Sequence, residues 1–225
     1  MKYRIHRDLA ERIREGCEAK QNVCIDPRWF SWGSVYPDCT HHRLWHMHRV
    51  DAAGGMVGRM VRRFCRRALP PGGRLSRWRS LRLGIIIHYV CDFSCYVHTP
   101  AYAGSLKEHR AYEQAQAALP PAEFPTVSQA GERPDLHGAR DAAEAYALLL
   151  KALDAREAGS FSPAEDLDYA LAAGTAGRYP GRSRPERPQP GMPSTAAAPF
   201  PARLRFGSSL GGPLARLSPR RPFPA

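Results

Sequence analysis

One stretch constrains this chain more than any other: Gly84 to Glu113, GIIIHYVCDFSCYVHTPAYAGSLKEHRAYE. It carries five nitrogen or carboxylate donors. His88 and Asp92 are four apart, His109 and Glu113 are four apart, and His98 lies between the pairs. Four residues make about one helical turn, so on a helix each pair projects from one face with donor atoms close enough to share a cation. Ile85 to Ile87 would suit a strand, but donors at turn spacing favour a helix, expected over Leu75 to His98. Thr99-Pro100 should stop it, because the residue before a proline is pushed away from helical angles. A histidine and an aspartate among apolar neighbours are costly unless paired, and a bound metal ion offsets that cost directly. A single HxxxD reads most simply as a helix salt bridge worth about a few tenths of a kcal/mol. HxxxD, a histidine six residues on, and then HxxxE read as a metal site.

The rest of the chain supplies a frame and further donors. Tyr3 to Ala19 predicts a first helix, with Ile5, Leu9 and Ile13 on one side. His6 borders that stripe; by itself it is a boundary residue, and it matters only if another segment makes a place for it. Gln21 to Thr40 contains Pro27, Gly33 and Pro37 and lacks helical periodicity, so it reads as a long aromatic connection. Asp38 within it reads as a cap for the next helix. Four histidines follow (His41, His42, His46, His48), then a helix with Met56, Met60, Val61 and Phe64 at helical spacing. The arginines from Arg59 to Arg67 at its end make a solvated face or a nucleic-acid contact. Leu69 to Gly73 is a break, and Ser105 with Glu108 forms a capping box that starts another helix. Asp135 to Glu157 and Pro163 to Leu171 are expected scaffold helices, with His137 exposed. There is no convincing strand, no repeat, no Walker loop and no GxSxG, so the body is expected to be all-α, a multi-helix bundle.

Charge separates the body from its end. From Thr175 on the chain holds eleven of its 21 prolines, nine of its 33 Lys plus Arg and one of its 21 acids, leaving 24 basic and 20 acidic residues before it. The high isoelectric point is therefore mostly a property of residues 175–225, expected to be a disordered basic tail with loose attraction to anionic membrane or nucleic acid. Residues 1–174 form the expected helical domain. The amino end has no apolar signal region and the longest apolar run is too short to span a bilayer, which predicts a cytoplasmic protein without a transmembrane segment. In that compartment the six cysteines are free thiols; Cys91 and Cys95 are either extra ligands or small core residues.

In motif order, residues 1 to about 115 resemble the bacterial zinc-dependent phospholipases C, an all-helical fold shared with single-strand nucleases of the same zinc architecture. The resemblance is carried by His88, Asp92, His98, His109 and Glu113, by a histidine near the amino end (His6), and by Pro37-Asp38 followed by His48, with His46 as its competitor. GSLKEHRAYE is similar to a compact branch of that family. The resemblance implies that Asp38, His48, His88 and Asp92 hold one zinc ion, that His98, His109 and Glu113 hold a second, and that His6 with a bridging Asp92 holds a third. It also implies that Asp38 is the general base. Secreted members bind the third ion with the free amine of an amino-terminal tryptophan; this chain begins Met1-Lys2, so the expected complement is two or three Zn2+ ions.

The implied activity is hydrolysis of a phosphodiester, a phospholipid head group first, since Glu113 rather than an aspartate ends the last motif. A nuclease or nucleotide phosphodiesterase on the same site is the second reading. A non-catalytic zinc-stabilised helical binding module is the third.

Overall fold

The computed structural model describes residues 1–21, 23–40, 48–120, 124, 142–156 and 162–176, all within one compact unit, Met1–Pro185. Among the described residues there are seven α-helices, one 3-10 turn and no strand, only an isolated bridge between Cys24 and Arg74. The helices are α1 Tyr3–Gln21, α2 Pro27–Cys39, α3 Val50–Cys65, α4 Arg77–Phe93, α5 Leu106–Ala118, α6 Ala142–Arg156 and α7 Pro163–Ala176, with the 3-10 turn at Tyr96–His98. The all-α expectation holds. His41, His42, His46, His137 and the tail beyond Ala176 lie outside the described residues.

α4 is the central helix. Ser80, Leu83, Gly84 and every residue from Ile86 to Phe93 are buried, as expected for a helix surrounded by others. It starts at Ser76, whose hydroxyl accepts from the Arg79 N–H. α1 packs against α2, α4, α5 and α7 through Ile5, Leu9, Ala10, Ile13 and Cys17, while α3 packs against α4 and α6. These side chains join one apolar core.

Two expectations need correction. The aromatic connection Gln21 to Thr40 is largely helix α2. Asp26 caps it by accepting from Arg28 N–H and Trp29 N–H, and Pro27 occupies its first turn, where its missing N–H costs nothing. Asp38 therefore lies in the last turn of α2 and caps no later helix among the described residues. α2 also approaches α4 closely enough that a Cβ on Gly33 would lie 2.2 Å from the Leu81 carbonyl oxygen. A Cβ on Gly84 would lie 2.2 Å from that of Phe30. Only a glycine pair allows this crossing.

The second correction concerns the end of α4, expected at His98 and observed at Phe93. The Ser94 hydroxyl donates to Val90 O at 2.8 Å, and the Tyr96 N–H donates to Asp166 Oδ2 of α7 at 2.9 Å instead of to the helix ladder. Both contacts draw the backbone out of the α-helical pattern. His98 consequently sits on a separate 3-10 turn, out of phase with His88 and Asp92.

Candidate metal centre

All eight side chains singled out as donors converge. They form three adjacent groups, each with its ligand atoms within 4.8 Å of one another: His6, His88 and Asp92; Asp38, His48 and His88; and His98, His109 and Glu113. α1 delivers His6, α2 Asp38, the bend before α3 His48, α4 His88 and Asp92, the 3-10 turn His98, and α5 His109 and Glu113.

Asp92 is the hub. It is fully buried, and its oxygens lie 2.6 Å from His48 Nδ1, 3.1 Å from His6 Nε2 and 3.2 Å from His88 Nε2. Asp38 Oδ1 is 3.6 Å from His48 Nδ1 and 3.9 Å from His88 Nε2. In the third group Glu113 Oε1 is 3.2 Å from His109 Nε2 and 3.5 Å from His98 Nε2. The imidazoles of His6 and His88 stack with centroids 4.0 Å apart.

The sequence reading missed one group at the centre, the Met1 amino group. It lies 2.9 Å from both Asp92 Oδ1 and Glu113 Oε1 and 3.1 Å from His98 Nε2. As an ammonium it balances two carboxylates as a metal cation would; deprotonated, it is a further nitrogen donor. Nothing in side-chain spacing announces a backbone amine. The resemblance assigned an amino-terminal amine to the secreted members, and it was set aside here for want of a tryptophan.

Three features of these residues fit a metal ion. Neither ring nitrogen of His6, nor Nε2 of His48, has a hydrogen-bond partner among the described residues, although all three atoms are buried; the 3.1 Å approach of His6 Nε2 to Asp92 is not directed as a hydrogen bond. Buried imidazole nitrogens left this way cost free energy that coordination recovers. Second, His88 Nδ1 lies 2.8 Å from the Ser34 carbonyl and His98 Nδ1 2.8 Å from the His48 carbonyl. Donation there fixes the tautomer that presents Nε2 as a free donor, the usual outer support of a metal-binding histidine. Third, imidazole and carboxylate without thiolate is a donor set that suits zinc. Cys91 and Cys95 belong to none of the three groups; both are buried core thiols, pushed up by burial, and Cys95 contacts Gln116.

The protonation states of His6 and His98 agree with that donor role, whereas Asp92 and Asp38 raise His48 against its burial. Burial, then the neighbouring His88, lowers His6 to about 3 against the pull of Asp92. Burial and the Met1 ammonium lower His98. Both rings are therefore neutral near pH 7. Burial works against ionised Asp92, but the Met1 ammonium and the surrounding histidines hold it well below the ordinary carboxylate range. Glu113 is likewise held low against its burial by His109, His98 and Met1. Asp38 goes the other way: burial and the charge of Asp92 raise it.

The groups open into a cleft of about 930 Å³ lined by Asp38, His48, His98, His109 and Glu113. A family model described as zinc dependent phospholipase C matches residues 5–159, a span that contains all eight donors. The chain belongs to the zinc-dependent phospholipase C family. No significant match was found among curated proteins or solved structures. Membership accords with the all-helical fold and with residues able to hold metal, and it makes this a hydrolase family. No described helix is long and apolar enough to cross a membrane.

Proposed function

We propose that this zinc-dependent phospholipase C family member hydrolyses a phosphodiester, with a phospholipid head group as its substrate. The observation that carries the reading is the convergence of His6, Asp38, His48, His88, Asp92, His98, His109 and Glu113 in three adjacent donor groups, five of whose side chains line one cleft, inside the span of the family match. These eight are the proposed zinc ligands, for two or three ions. Zinc held there would supply charge stabilisation at phosphoryl oxygens and a more acidic attacking water.

The chain's own residues do the rest. Asp38 is the proposed general base. It combines a position at the open edge of the donor groups, lining the cleft, with a carboxylate able to take the proton of an attacking water. As the water oxygen bonds to phosphorus, its proton passes to Asp38 and the bond to the diacylglycerol oxygen breaks, that oxygen taking a proton from solvent to leave as diacylglycerol beside the phosphorylated head group. His88 and His98 are kept oriented by the Ser34 and His48 carbonyls, so the donors need little reorganisation at the moment of reaction.

The test is metal content together with turnover. Purified protein should carry near-stoichiometric zinc, release head-group phosphate from phospholipid, and lose both in His88→Ala. Zinc-free protein, or zinc-replete protein inactive on phospholipid, would overturn the reading. Hydrolysis of single-stranded DNA alone would move it to the nuclease branch.

A further inference from the structure

The cleft above the donors has a charge pattern that its floor does not require. Its acids are Asp38 and Glu113, both within the donor groups, whereas its cations are Lys2, Arg4, Arg49 and Arg110. Arg49 pairs with Asp51, and Arg4 lies 3.6 Å from Asp8. Lys2 and Arg110 are exposed and form no ion pair among the described residues.

The same rim carries two large apolar side chains that face water. Tyr3 is 49 % exposed and Leu106 is 65 % exposed, one at the first position of α1 and the other at the first position of α5. Cations set beside exposed aromatic and aliphatic side chains around an opening form a surface suited to an anionic bilayer. The charges meet the head groups while the apolar groups enter the boundary of the acyl region.

We infer that the substrate is a phospholipid of net negative charge, such as phosphatidylglycerol, taken from an anionic membrane surface in preference to a choline lipid. The inference rests on the phosphodiester reading above and specifies its substrate. A quaternary ammonium is held by aromatic faces, commonly with a carboxylate to spare. Here Tyr3 and Tyr102 supply aromatic faces, but the cleft's carboxylates belong to the donor groups and the remaining charges repel a cation. A polynucleotide would also meet the cations and could stack a base on Tyr3, but the exposed aliphatic Leu106 gains nothing from a base and is covered by acyl chains, which favours lipid.

The experiment uses the full chain loaded with zinc. Initial rates are measured on vesicles of phosphatidylglycerol, vesicles of phosphatidylcholine, single-stranded DNA, and the small diester bis(4-nitrophenyl) phosphate. Each cation near an anionic surface contributes roughly fivefold, so two free ones predict a preference in kcat/KM for phosphatidylglycerol of about twenty-five-fold. Arg110→Glu should reduce that preference by at least roughly fivefold through KM rather than kcat, and raised salt should reduce it too. Leu106→Ser should slow vesicle hydrolysis while leaving the small diester unaffected. Equal or faster cleavage of phosphatidylcholine, a ratio unmoved in Arg110→Glu, or DNA as the fastest substrate overturns the inference. If the small diester is hydrolysed in such a case, the hydrolase reading survives it; if nothing is hydrolysed, both fall.

Discussion

Gly84→Ala is the sharpest test of how the fold builds the site. By helix propensity alone the substitution in a helix interior should stabilise the protein by about 1 kcal/mol. At this position the new methyl would lie 2.2 Å from the Phe30 carbonyl oxygen and 2.9 Å from the Gly33 Cα, where ordinary contacts begin near 3.4 Å. Neither obstacle is a side chain that can rotate away, so α2 must withdraw from α4 by roughly 1 Å. Overpacking of this kind costs about 1–3 kcal/mol, and backbone on the far side puts it at or above the upper end. The net loss expected is about 2 kcal/mol, which for a chain of this size lowers Tm by roughly 4–8 °C. The displacement also reaches the metal centre. Asp38 lies just over a turn beyond Gly33, and His88 and Asp92 lie one and two turns beyond Gly84, whereas ligand distances tolerate only about 0.2 Å. Thermal unfolding followed by circular dichroism, with zinc counted per chain, reads both effects. Gly55→Ala is the internal control: its Cβ would meet only Arg59 Nη1 at 3.7 Å on an exposed face, so Tm should rise by roughly 2–4 °C. A Gly84→Ala protein as stable as the parent, with full zinc, refutes the crossing.

Asp166→Ala should destabilise by about 2–4 kcal/mol and lower the zinc count, because Asp166 Oδ2 accepts from the Tyr96 N–H at 2.9 Å and the Tyr112 hydroxyl at 2.8 Å, securing the turn of His98 to the helix of Glu113; unchanged zinc and Tm would rule this out. Asp38→Asn should reduce turnover by about 10²–10⁴-fold while the His98 group keeps its zinc, checked by rates beside metal analysis. In the folded protein at pH 8 an aromatic disulfide reagent should titrate Cys24 and Cys39 promptly and spare Cys17, Cys91 and Cys95, since burial raises Cys17 to about 12 and raises the other two as well. Rapid labelling of all of them in folded protein would contradict the described packing.

The donors were legible because helical spacing is a local property. His88 and Asp92, or His109 and Glu113, need only one turn of helix to become neighbours, and a buried charge demands a reason. Their assembly is not local. His6 had no claim from its own segment, and only the packing of α1 against α4 brings it onto the His88 ring. Helix α2 was hidden by its prolines and glycine, each of which ordinarily breaks a helix. Asp26-Pro27 was the signal available, a cap followed by a proline in the first turn. Gly33 looked like a breaker because its function is set by Gly84, some fifty residues away. The early end of α4 was illegible for the same reason. The competing acceptor for Tyr96 is Asp166, on a helix that sequence alone assigned only to scaffold.

The same two helices therefore answer two separate demands, and this links stability to chemistry. α2 and α4 must touch at their glycines for Asp38 to reach His48 and His88, and the contact is made in a core that also contains Asp92 and the unpartnered nitrogens of His6. An apolar core with an ionised carboxylate and bare imidazoles at its centre is expensive unless something pairs them. The Met1 ammonium answers part of that charge, and a metal ion bound by the neighbouring donors would answer more. Ligands that bind the folded state alone add to its stability by mass action. A metal ion bound there would thus be part of what holds the helices together, and its removal should loosen the bundle around α4 before it disturbs the more distant contact of α3 with α6.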